Sequence, residues 1–143
     1  MNIDSIHSGI VLDHIKAGRG MDVYRFLKLD ELDCPVAYMR NVRSNALGRK
    51  DIIKIDADID VDLDVLGYID PGITVNIIKD GKLVEKKKLS LPENLINVIT
   101  CKNPRCITTV ENALDQHFVL KDRAKGLYRC KFCDAERKSK ALR

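Results

Sequence analysis

Several things are scarce in this 143-residue chain, and each scarcity removes a class of function. Aromatic residues make up 5% of it, with 3 Phe, 4 Tyr and no Trp. A surface that stacks successive bases needs such rings, so a broad nucleic-acid platform is not expected. No apolar run approaches the ~20 residues that span a bilayer. The start, "MNIDSIHSGIVLDH", lacks a basic segment followed by an apolar one, so no secretory signal is read there. The expected compartment is therefore the reducing cytoplasm, with no membrane partner. Histidine is rare, with 3 in all. None of His7, His14 and His117 opens the His-x-Glu segment that zinc deaminases need. There is no nucleophile–base–orienter set and no Gly-rich phosphate loop, so the chain does not read as an enzyme.

The remainder has a globular composition, 45% apolar and 32% charged. Charge is unevenly placed. Residues 1–93 carry a net −2 and residues 94–143 a net +6. The change falls near "SLPENL", which marks the expected seam between a first domain, 1–93, and a second, 94–143.

Alternation and turn signals order the first domain. "GIVLDHI" (9–15) reads as a strand, with Ile10, Leu12 and His14 on one face and Val11, Asp13 and Ile15 on the other. Residues 21–29 set Val23, Phe26 and Leu27 at helical spacing. "CPVAYMRNV" and "KDIIKID" read as strands. "DVDLDVLGYI" reads as a helix stopped by Pro71–Gly72. "TVNIIKDGKLVEKKKL" reads as a hairpin about Asp80–Gly81. The order β-α-β-β-α-β-β predicts an α+β fold, a ferredoxin-like layer with one extra strand. Such a sheet covers one face with helices and leaves the other for water or a partner.

The second domain has few large apolar groups for about 50 residues, and a unit of that size needs a staple. Four of the 5 cysteines stand in two pairs, "CKNPRC" (101–106) and "CKFC" (130–133). In a reducing compartment such pairs read as metal ligands before disulfides. Four thiolates from Cys101, Cys106, Cys130 and Cys133 suit a closed, structural zinc site in a small all-β domain. An iron centre is chemically open to the same four sulfurs. A disulfide pairing fits the compartment poorly, and a lone Cys-x-x-Cys redox site leaves the other pair without a role. Lys102, Arg105, Arg129 and Lys131 sit beside the ligands and offset the −2 of a zinc–tetrathiolate. Cys34, in an apolar strand pattern, reads as a buried inert thiol. Zinc and a basic segment leave a second reading open, a zinc-ribbon protein that binds nucleic acid.

"IVLDHI", "LGRKDIIKID" and "TVNIIKDGKLVEKKKLSLPENLINVITC", followed by the cysteine array, together resemble the regulatory chain of aspartate carbamoyltransferase. The resemblance spans nearly the whole chain in order and spacing. It implies a non-catalytic subunit of pyrimidine biosynthesis that binds nucleotide effectors in its first domain and docks onto catalytic chains through its zinc domain. CTP and ATP are the implied effectors, with UTP assisting CTP. By that resemblance Ile3, Asp4, Ser5 and Ile6 contact the base. Asp13 and His14 lie beside ribose and phosphates, and Lys54 reaches the sugar and base. Asn76 and Ile78 line the pocket, and Lys86 is the cation near the triphosphate. The loops between the cysteines, with Asn103, are the implied docking surface, and the first domains are expected to pair as a homodimer through an exposed sheet edge.

Overall fold

The computed structural model describes residues 7–45, 48–111 and 113–138. The chain divides into two compact units, Met1–Ser90 and Leu91–Arg143, each considered separately below.

The first unit runs β1 (Gly9–Lys16), α1 (Gly20–Phe26), a 3-10 turn (Leu29–Glu31), β2 (Val36–Ser44), β3 (Gly48–Ile55), α2 (Leu63–Ile69), β4 (Thr74–Lys79) and β5 (Lys82–Lys88). The strands form one sheet in the order β2-β3-β1-β4-β5, antiparallel at every junction. That is the ferredoxin-like arrangement with β5 added beyond β4. The turn between β4 and β5 has Asp80 and Gly81 both at positive φ (52° and 73°), the conformation that the Asp-Gly pair favours.

Ile10, Leu12 and Ile15 from β1 pack with Ile53, Ile55, Val75, Val23, Leu66 and Ile69 in the core under the helices. Cys34 lies half-buried at the margin of that core, not wholly enclosed. The first helix ends at Phe26, short of Leu29, because Lys28 takes a left-handed conformation (φ 53°). α2 starts where Asp62 accepts from the amides of Asp64 (3.0 Å) and Val65 (3.2 Å), an N-cap that satisfies two otherwise orphaned donors.

One expectation about β1 is overturned. Strict alternation puts His14 on the face of Ile10 and Leu12, with Ile15 opposite. The pairing of β1 with β3 shifts register between Leu12 and Ile15, and His14 adopts φ 58°. The extra residue of this β-bulge reverses the alternation. Ile15 therefore joins the core at 0% exposure, and Asp13 and His14 both remain only half-buried.

The carboxylate of Asp51, also in the interior, organises the adjoining turns. It accepts from the amides of Gly18, Gly20 and Asn41 and from the Tyr38 hydroxyl, all at 2.9–3.2 Å. A Cβ at Gly20 would strike the Tyr38 ring and stand 2.7 Å from Asp51 Oδ2, so the start of α1 requires glycine.

The second unit is a four-stranded sheet in the order β6-β7-β8-β9, built from Asn94–Ile96, His117–Asp122, Leu127–Cys130 and Glu136–Lys138. A single helical turn, α3 (Ile107–Val110), lies between β6 and β7. Phe118 and Tyr128 are fully buried and Leu91, Leu95 and Ile99 nearly so, and Leu95 stands opposite Phe118. The Tyr128 hydroxyl donates to the Pro92 carbonyl at 2.6 Å. This apolar core is small, and three of the four paired cysteines complete it.

Candidate functional site

Two arrangements carry chemistry, one in each unit. In the second unit the four Sγ atoms of Cys101, Cys106, Cys130 and Cys133 lie within 4.8 Å of one another. Cys101 and Cys133 sulfurs are 3.5 Å apart, those of Cys106 and Cys130 3.7 Å, and all five cysteines are free thiols. A tetrahedral ion with metal–sulfur bonds of ~2.3 Å has sulfur–sulfur edges of about 3.8 Å, so the donor set fits a four-thiolate metal ion.

Local hydrogen bonds shape both cysteine loops. The Asn103 carbonyl accepts from the Cys106 amide (3.1 Å) and the Thr109 hydroxyl (2.8 Å), while its side chain accepts from the Arg105 amide (3.0 Å). Asn103 therefore builds the first loop from within. In the second, the Asp134 amide donates to the Cys130 carbonyl at 2.9 Å, and Asp134 turns the chain at φ 67°. The Arg129 guanidinium spans this loop, donating to the Asp134 carbonyl (3.0 Å) and to Glu136 (2.6 Å).

Two further residues touch the site without a sequence signal of their own. Gln116 accepts from the Cys101 amide at 2.9 Å and donates to the Thr108 carbonyl at 3.4 Å. The Thr108 hydroxyl lies 3.0 Å from the Cys106 sulfur. Burial pushes the Cys101 thiol up to about 12 and raises Cys130, whereas the Thr108 hydrogen bond brings Cys106 down to about 6. Without a cation Cys106 ionises readily while Cys101 and Cys130 resist. A bound cation supplies the charge that lets them all ionise.

In the first unit the face of the sheet away from the helices brings several singled-out residues into one row. Lys54 stands opposite Val11, Val11 opposite Asn76, and Asn76 opposite Lys86. The row crosses four strands, about 14 Å from Lys54 to Lys86. Ile78 is on the same face of β4, opposite Gly9. Along β1 from this row come Asp13 and His14. The Asp13 carboxylate accepts from Lys50 Nζ at 2.9 Å and from the His14 amide at 2.6 Å. Partial burial raises its pKa, but the Lys50 and His14 hydrogen bonds outweigh this and hold it below the usual carboxylate value. His14 Nδ1 lies 3.2 Å from the buried Thr74 hydroxyl.

Lys50 belongs to this group yet escapes a reading of the sequence, because only the bulged register places it beside Asp13. Ile3, Asp4, Ser5 and Ile6 lie outside the described residues. The adjoining His7 is placed: its carbonyl accepts from the Gly81 amide at 2.8 Å, tying the start of β1 to the β4–β5 turn.

Comparison with known proteins matches both stretches of the chain to one family. Residues 1–90 match the family described as aspartate carbamoyltransferase regulatory chain, allosteric domain. Residues 93–143 match the metal binding domain of the same chain. Proteins named aspartate carbamoyltransferase regulatory chain are 50% identical in Clostridium botulinum, over 94% of this chain and 92% of the relative. The Clostridium tetani protein of that name is 50% identical over 94% of each chain. That from Bifidobacterium longum is 45% identical over 96% of this chain and 99% of its own length. The chain belongs to the family of aspartate carbamoyltransferase regulatory chains, and is a non-catalytic subunit with an allosteric and a metal-binding domain.

Proposed function

We propose that the chain senses nucleoside triphosphates on the open face of its first sheet and passes that signal to aspartate carbamoyltransferase catalytic chains. CTP and ATP are the effectors, with UTP a further ligand acting beside CTP. The observation that carries this reading is the row Lys54–Val11–Asn76–Lys86, with Asp13, His14 and Lys50 alongside it. A polyphosphate needs cations and hydrogen-bond donors, and a ribose needs acceptors such as Asp13. Asn76 and Ile78 offer a polar anchor and an apolar wall on one strand. Ile3, Asp4, Ser5 and Ile6 supply main-chain contacts to the base.

A ligand of this kind acts by preferring one quaternary state, with a coupling of about 1–3 kcal/mol. CTP favours the less active state and ATP the more active one. Zinc is the ion held by Cys101, Cys106, Cys130 and Cys133; when bound it supplies a rigid cross-link and no reaction chemistry. Its domain, 94–143, docks onto the catalytic chain. The exposed Ile107, Val110 and Phe132 beside the two cysteine loops support that role, since such side chains are seldom left wet on a small unit. The effector domain, 1–93, pairs with a second copy through a sheet edge. The assembly works in the cytoplasm; among the described residues no helix is long and apolar enough to cross a membrane.

Calorimetric titration of the purified chain with CTP and ATP tests the reading. Micromolar binding, lost in Lys86→Ala, is the expected result. Tight, steeply salt-dependent binding to RNA or DNA without nucleotide preference would replace it with the zinc-ribbon nucleic-acid reading.

A further inference from the structure

The row of Lys54, Asn76 and Lys86 accounts for one end of a nucleotide site, but a cleft lies beyond it. A cavity of about 590 Å³ opens at the end of β1, lined by His14, Lys16, Gly48, Arg49, Asp70 and Gly72. Gly48 and Gly72 contribute no side chains, which leaves the room. His14 belongs to both places, so the cleft continues the site instead of standing apart from it.

The charge of the cleft favours an anion. Lys16 stands opposite Lys50 in the β1–β3 register and is exposed. Arg49 is exposed, and one of its terminal nitrogens leans on the Asn41 carbonyl at 3.4 Å. Two carboxylates face the same region, and both are engaged. Asp70 accepts from the Lys16 amide (3.1 Å) and the Gly72 amide (2.9 Å) through its separate oxygens. Asp13 is paired with Lys50 at 2.9 Å. Lys16 and Arg49 are thus the cations of the cleft with no carboxylate partner among the described contacts.

Direction along β1 then orders a ligand. The strand start is near Ile78 and the His7–Gly81 link, the apolar end. Val11 lies in the row, Asp13 and His14 follow, and Lys16 is roughly 10 Å further along than Asp13. We propose that Lys16 and Arg49 form a subsite for the terminal phosphate of the effector, so that this chain distinguishes tri- from monophosphates at the cleft. The inference rests on the nucleotide reading and adds Lys16 and Arg49 to Lys86 and His14, the residues already assigned to the phosphates. Two cations on one phosphate make charge-assisted hydrogen bonds that a monophosphate, ending near His14, does not reach.

The test is calorimetric titration of the full chain with CTP, CDP and CMP, for the unaltered protein and for Lys16→Gln, Arg49→Gln and Lys16→Arg. The glutamine variants are expected to raise the Kd for CTP about tenfold and to change that for CMP less than twofold. Lys16→Arg should retain the triphosphate preference. Inorganic tripolyphosphate should compete with CTP on the unaltered chain and markedly less on the glutamine variants. If both substitutions leave the ratio of CTP to CMP affinity unchanged while CTP still binds, the subsite is wrong and the wider nucleotide reading stands. If the unaltered chain binds none of the three, both fall together.

Discussion

The hydroxyl of Thr108 lies 3.0 Å from the sulfur of Cys106, two residues away, and both side chains are buried. Such a donor favours the thiolate over the thiol, and the thiolate is what a metal binds. Thr108→Val keeps shape and volume but removes the donor. Metal transfer to a competing chelator should then be about tenfold faster, within the range usual for partners just outside the ligand shell. Thr108→Ser should restore the slow rate. Cobalt substitution gives a second readout, because loss of the hydrogen bond shifts the sulfur-to-cobalt charge-transfer band even where the fold is unchanged.

Metal removal should unfold the second unit selectively. Its apolar interior is Leu91, Leu95, Ile99, Phe118 and Tyr128 with the buried cysteines, too little to hold a unit of this size unaided. Chelation under reducing conditions should collapse amide protection over β6–β9 while the five-stranded unit keeps its own. The same treatment of the assembled complex should release regulatory chains and leave carbamoyl transfer intact, read by size-exclusion chromatography with an activity assay. Stripped chains that still assemble would contradict the docking role.

Much of this was legible from residue order, because the signals are local. Asp80–Gly81 fixes a hairpin by backbone conformation alone, and paired cysteines announce a shared ion by spacing. The bulge at Asp13–His14 was not legible. Alternation is a rule about regular strands, and one extra residue reverses every side chain after it. That reversal hid Ile15 in the core and Lys50 beside Asp13. Asp51 escaped for a different reason. A carboxylate in a strand reads as surface, whereas here three amides and a hydroxyl from separate segments converge on it. Thr108 and Gln116 were likewise invisible, since their partners are set by folding of the cysteine loops.

Asp51 therefore carries a stability prediction. Asp51→Ala removes the acceptor for the Gly18, Gly20 and Asn41 amides and the Tyr38 hydroxyl, and leaves buried donors unmatched. A loss of about 3 kcal/mol or more is expected from urea unfolding of the first unit. Asp51→Asn should cost less, because it retains one carbonyl acceptor. Tyr38→Phe alone should cost about 1 kcal/mol, since a single bond is lost and Asp51 keeps three donors.

The Asp13–Lys50 pair sets an acid limit on the site. Partial burial disfavours the Asp13 carboxylate, but hydrogen bonds from Lys50 and the His14 amide prevail, so its folded pKa lies below the ordinary 3.8. A carboxyl group depressed in this way stabilises the fold above its unfolded pKa. That contribution fades as the pH falls through the ordinary value towards the lower folded one. The pair is thus intact at neutral pH, and its loss is confined to acid below about pH 4. Carbon-detected NMR titration of the Asp13 carboxyl should give a midpoint below that of an unstructured peptide. Lys50→Met should move the midpoint upward, because partial burial then acts with one fewer opposing partner. Unfolding free energy should show a weaker pH slope in Asp13→Asn than in the unaltered chain over this acid range, and equal slopes would mean that the pair contributes nothing to the fold.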